Sequence, residues 1–149
     1  MEAAPALNGD VLRAAREAAG LTQTELARLV GVVDGQRISK WERGAARPRS
    51  APLLAAVGDA LGLRPRDMLT DPGEKVTLRW LRFAAGLTVE QLAAAVHVST
   101  PTVKRWESEG LHDPSTETIR AVATALDADA AMVRAALSRD LHGEREPQH

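Results

Sequence analysis

The chain has 149 residues, 44% hydrophobic but only 3% aromatic, with no cysteine and a formal net charge of −1. That composition excludes disulfides and thiolate metal sites, and with so few aromatic residues any core has to come from closely packed helices with small side chains, an all-α fold. No apolar run approaches the roughly 20 residues of a membrane span, and the first ten residues lack the basic start and apolar stretch of a signal peptide, so a cytoplasmic protein with no membrane partner is expected.

Apolar residues at helical spacing, together with polar residues able to cap helix starts, predict five helices over 9–19, 23–30, 35–43, 51–61 and 65–69. Thr22 and Glu25 have capping-box spacing, Asp34 and Ser50 are N-cap candidates, and Gly20, Gly44 and Gly62 stand where helices should stop. Residues 70–73, TDPG, form a turn too short to serve as a long tether. Five further helices are predicted over 72–85, 89–96, 100–109, 116–126 and 130–141. Asp71 with Glu74 and Thr88 with Gln91 repeat the capping-box spacing, Ser99, Ser115 and Asp129 are N-cap candidates, and Gly86 and Gly110 are stops. The expected division is therefore a first domain over 1–70, a second over 71–142 and a polar tail over 143–149.

The second set of elements copies the first. GLTQTELARLVGVVDGQRISKWE at residues 20–42 returns as GLTVEQLAAAVHVSTPTVKRWE at residues 86–107, and such a repeat shows which letters the architecture requires. Leu26, Val30, Ile38 and Trp41, like Leu92, Val96, Val103 and Trp106, have the spacing that buries one face of two crossing helices. Ala27 and Ala93 are small where those helices approach.

Charge is distributed unevenly along the chain. Residues 11–50 carry eight basic side chains against four acidic ones, and residues 113–149 carry four arginines against seven acids. A basic front half can face a polyanion while the whole stays near neutral.

In each copy a helix opening on Thr-x-x-Glu/Gln runs through Leu-Ala and, after a tight turn, gives way to a helix ending in Trp-Glu. The pattern resembles the helix-turn-helix of the Cro/CI-like (Xre) family of bacterial and phage DNA-binding proteins, over about residues 10–69 and 78–137. The resemblance implies two tandem five-helix, lambda-repressor-like domains, and an internal ion pair joining Arg16 to Glu42 and Arg82 to Glu107. It also implies double-stranded DNA as partner, with the third helix of each copy in the major groove.

On that alignment Gly35, Gln36, Arg37 and Lys40 occupy the base-facing surface of copy one, and Thr100, Pro101, Thr102 and Arg105 that of copy two. Gln can pair with adenine, Arg or Lys can reach guanine, and Thr can touch a thymine methyl. Gly35 and Pro101 have nothing to donate and serve close backbone approach or the helix start. Gln23 matches the family's phosphate-clamping glutamine, and Arg43, Arg47, Arg49 and Lys104 are further phosphate candidates. Copy two departs from the pattern, with Val89 in place of that glutamine and the acidic ESEGLHDP following its Trp106. Copy one has one extra residue in the turn before its third helix, which either re-aims that helix or is a neutral loop adjustment.

The four histidines are scattered without ligand spacing, and neither a Ser/His/acid set nor a phosphate-cradling glycine loop accompanies them, so neither an enzyme nor a cofactor is expected. The functional expectation is a sequence-specific DNA-binding regulator, a repressor by family habit, with two unlike half-sites. The rival is an antitoxin-like or other protein-interaction module on the same fold. Met132, Val133, Ala136 and Leu137 form an apolar stripe on the last helix that suits either a homodimer or partner contact or ordinary packing.

Overall fold

The computed structural model describes residues 4–32 and 34–143. Ten α-helices and no β-strands are found among the described residues, and the chain divides into two compact units, Ala4–Asp71 and the residues from Pro72 onward.

The first unit contains α1 (Gly9–Ala18), α2 (Gln23–Val30), α3 (Gly35–Glu42), α4 (Ala51–Leu61) and the single turn α5 (Pro65–Met68). Side chains cap each of the first four starts. Asn8, Thr22, Asp34 and Ser50 each accept a first-turn N–H, and Thr22 with Glu25 closes a reciprocal capping box. Leu12, Leu26, Ile38, Trp41, Leu54 and Val57 are buried where α2 packs on α3 and α4, and α1 on α3 and α5. The N-terminal segment is tied down beside the end of α5: Asn8 N–H donates to Met68 O at 2.7 Å and Thr70 N–H to Ala6 O at 3.0 Å.

The second unit contains α6 (Leu78–Ala85), α7 (Val89–Val96), α8 (Thr100–Glu109), α9 (Thr116–Leu126) and α10 (Ala130–Gly143). Its core gathers Leu78, Leu81, Leu92, Val103, Trp106, Ile119 and Val122, closed by Val133, Ala136 and Leu137 of α10. Three of the four residues in the apolar stripe are thus consumed by the unit's own core, and Met132, 40% exposed, is left outside. The stripe is mainly a packing face of the second unit.

One predicted helix is corrected. The span 72–85 is not a single helix: a 3-10 turn at Gly73–Lys75 comes first, Val76 is extended, and α6 begins only after Thr77, whose hydroxyl accepts from Trp80 N–H at 3.0 Å. Burial explains the break, because the extended backbone turns Val76 into the core, where it is 3% exposed. Asp71 and Glu74 accordingly do not form the capping box of an α-helix. Other differences are of one or two residues at helix ends, where assignments ordinarily vary; α10 runs to Gly143, and the remainder of the predicted tail lies outside the described residues.

Candidate nucleic-acid interface

The placement of α3 and α8 is set from beneath by the same device in both units. Arg16 Nε and Nη2 donate to the two carboxylate oxygens of Glu42 at 2.6 and 3.2 Å, and Nη1 donates to Leu21 O at 2.8 Å. Arg82 repeats the pattern on Glu107, at 2.5 and 3.1 Å, and on Leu87 O at 2.9 Å. Each guanidinium spans three acceptors from two elements, so α1 is pinned to the end of α3 and α6 to the end of α8. All four side chains are at most 10% exposed. Desolvation offsets much of the attraction in such pairs, whose clearest consequence is to fix geometry. The hydrogen bonds that Arg16 donates to Glu42 raise the arginine's pKa above its ordinary value, with burial acting against it.

Pinned in this way, α3 buries Ile38 and Trp41, leaving Gln36, Arg37 and Lys40 exposed. These three fall at i, i+1 and i+4, on the face opposite the core. They are one donor-rich surface: an amide, a guanidinium and an ammonium within a turn and a half of helix. Gly35 is half-buried and adds no group to it. A Cβ at Gly35 would stand 2.9 Å from Thr24 N and 2.9 Å from Thr24 Oγ1, so this position serves the close approach of α3 to the first turn of α2.

The corresponding surface of the second unit is poorer. Pro101, Lys104 and Arg105 are exposed on α8, but Thr100 and Thr102 are half-buried. Pro101 lies in the first turn of α8, and the Thr102 hydroxyl is 2.8 Å from that of the N-cap Ser99. Helix capping thus occupies one of the two threonines, and Arg105 with Lys104 supplies the exposed cationic donors.

The remaining phosphate candidates have diverse surroundings. Gln23, half-buried at the first position of α2, donates from Nε2 to Glu42 Oε1 at 3.1 Å. Arg43, Arg47 and Arg49 are all exposed on the segment joining α3 to α4. Arg43 Nε reaches Ser39 Oγ at 3.3 Å, and Arg47 Nη1 donates to Ala4 O at 2.6 Å. Sequence reasoning missed Thr24, the floor under Gly35, and Ser39, the tether of Arg43. The i, i+4 spacing of Ser39 and Arg43 on one helix was the available signal for the second; nothing in the sequence marks the first.

The turn before α3 also differs from the one before α8. α2 ends on Gly31 at φ 81°, whereas α7 ends on His97 at φ 61°. A left-handed backbone costs glycine nothing and a side-chain-bearing residue about 1 kcal/mol. Among the described residues no three His, Cys, Asp or Glu side chains converge on a metal position, and no helix is long and apolar enough to cross a membrane.

Two successive copies of a capped helix, a tight turn and a second helix with an exposed polar face define a tandem helix-turn-helix protein. A family model described as a helix-turn-helix domain matches residues 9–70 and again 76–136. The chain belongs to that family, of the Xre/Cro-like kind, whose members are DNA-binding regulators. No curated protein and no solved structure gives a significant match.

Proposed function

We propose that this protein is a sequence-specific transcriptional repressor that reads duplex DNA mainly through the first unit, with the second unit adding a weaker, differently constituted contact. The observation that carries the reading is the exposed Gln36, Arg37 and Lys40 face on a helix held by a buried core and a buried ion pair. Rigid support matters because a bidentate contact to a base edge requires side chains presented at fixed angles. Gln36 suits adenine, and Arg37 and Lys40 suit guanine O6 and N7, while Arg43, Arg47 and Arg49 supply the charge that positions the duplex without reading it. Arg105 is the principal base-reading group of α8, and Thr100 and Thr102 offer at most methyl contacts to thymine. Repression follows by occlusion of the bound site.

Support for the reading comes from family membership and from the charge of the face; the test is direct. Duplexes selected from a random pool by the full chain should share one strongly specified half-site and a second, weaker and unlike one. Arg37→Ala or Lys40→Ala should relax base preference, whereas Arg43→Ala should weaken binding to all sequences and lower the salt slope by about one. Absence of duplex binding at low salt would transfer the protein to the class of protein-interaction modules.

A further inference from the structure

Resting on the DNA-binding reading, we propose that Glu42 is a positioning residue for the phosphate contact of the first unit, acting through Gln23. The two buried ion pairs are geometrically alike, with the same Arg atoms on the same carboxylate oxygens and the same third donation to a main-chain carbonyl. They differ in one bond. Glu42 Oε1 accepts from Gln23 Nε2 as well as from Arg16 Nη2, whereas the position equivalent to Gln23 in the second unit is Val89, which has no group to donate.

The consequence follows from the chemistry of the primary amide. Gln23 Nε2 carries two hydrogens and Glu42 takes one, so the second is held in a fixed direction, half-exposed at the first position of α2. A phosphate oxygen of a bound duplex is the acceptor suited to that hydrogen. Glu42 is itself 5% exposed and cannot touch DNA; its contribution is to hold a long, otherwise free side chain in the binding rotamer before the duplex arrives. Sparing that ordering is worth about three- to tenfold in affinity. The first unit thereby couples its scaffold ion pair to its grip, and the second unit, with an equal pair, does not.

The test is a double-mutant cycle on the full chain with a selected duplex, together with the second unit as an internal control. Gln23→Ala should weaken binding about three- to tenfold with an unchanged salt slope, because a neutral contact releases no counterion. Glu42→Gln should weaken binding both by loosening α3 and by freeing Gln23, and should therefore cost less in the Gln23→Ala background than in the unmodified protein. Glu107→Gln should lower thermal stability comparably and weaken binding to the full composite duplex through the subordinate half-site, while leaving affinity for a duplex that carries only the dominant half-site unmoved. Additive losses from Gln23→Ala and Glu42→Gln would overturn the proposal. Should Glu42→Gln fail to fold, the side-chain amide of Gln23 in the unmodified protein decides by NMR. Two well-separated, slowly exchanging protons, one of which shifts on adding duplex, support the proposal; averaged, fast-exchanging protons overturn it. A wild-type chain that binds no duplex overturns the DNA reading itself, whereas duplex binding with additive losses overturns only the role of Glu42.

Discussion

Replacing Gly35 with alanine sets backbone preference against packing at the start of α3. The methyl group would lie 2.9 Å from both Thr24 N and Thr24 Oγ1 and 3.2 Å from the carbonyl carbon of Gln23, where ordinary contact starts at 3.4 Å. Two of these three atoms are main chain, so the half ångström has to come from moving α3 away from α2. Overpacking of this kind costs about 1–3 kcal/mol. Restricting the unfolded chain returns about 0.4–1 kcal/mol, since Gly35 does not need a positive φ. A net loss of about 1–2 kcal/mol remains, equivalent to a fall of roughly 5–10 °C in the melting temperature of a unit this size. The indole proton of Trp41, buried in the first unit, follows that unit alone by NMR during thermal unfolding. Specific affinity should fall further than stability does, because the displaced helix carries Gln36, Arg37 and Lys40. Thr24→Ala removes the hydroxyl contact but not the backbone one, and should restore only part of the loss. A Gly35→Ala protein as stable as the original, or more so, would refute the close-approach argument.

Other substitutions probe the scaffold that carries the two faces. The Thr22 backbone N–H that Glu25 accepts lowers the carboxyl's pKa from its ordinary value, so its stabilisation is complete above the unfolded-state pKa and disappears as pH falls through the lowered folded value; Glu25→Gln, which copies Gln91, should flatten that acid-side loss in a urea titration against pH. His97→Gly, which copies Gly31, should raise second-unit stability by about 0.5–1 kcal/mol in chemical denaturation. Gly58→Ala should destabilise the first unit although alanine is the better helix former, because the added Cβ would meet Leu63 O at 2.4 Å. Glu107→Gln leaves Arg82 buried without its charge partner and should cost about 3–5 kcal/mol, whereas replacing both members by apolar residues of similar size should cost much less.

Much of this architecture is legible in the letters themselves because local rules and tertiary packing agree. Thr22 with Glu25, Thr88 with Gln91, Asp34, Ser99 and Ser115 cap helices in the structure because each is a short polar side chain directly ahead of an apolar period. The region around Val76 failed for the opposite reason: Asp71, Glu74 and the apolar pattern all favour a helix, and the core's demand for Val76 overrides them. At the interface, exposure of Gln36, Arg37, Lys40 and Arg105 follows from helical period alone. The half-burial of Thr100 and Thr102, the bond from Gln23 to Glu42 and the floor that Thr24 provides under Gly35 depend on contacts across a turn or between helices. No periodicity encodes those contacts. The ion pairs were implied by the family resemblance, with an arginine and a glutamate recurring at matched places in both copies, and the structure shows both.

The central claim is that α3 and α8 present two unlike DNA-reading faces, and equilibrium binding of the full chain to pool-selected duplexes at several salt concentrations tests it most directly. The account predicts enrichment of one composite sequence with a dominant and a subordinate half-site, and affinity that falls steeply and log-linearly with salt. It also predicts that Arg37→Ala will degrade recognition at the dominant half-site and Arg105→Ala at the subordinate one. Failure to enrich any sequence, or affinity insensitive to salt and to both substitutions, would contradict it.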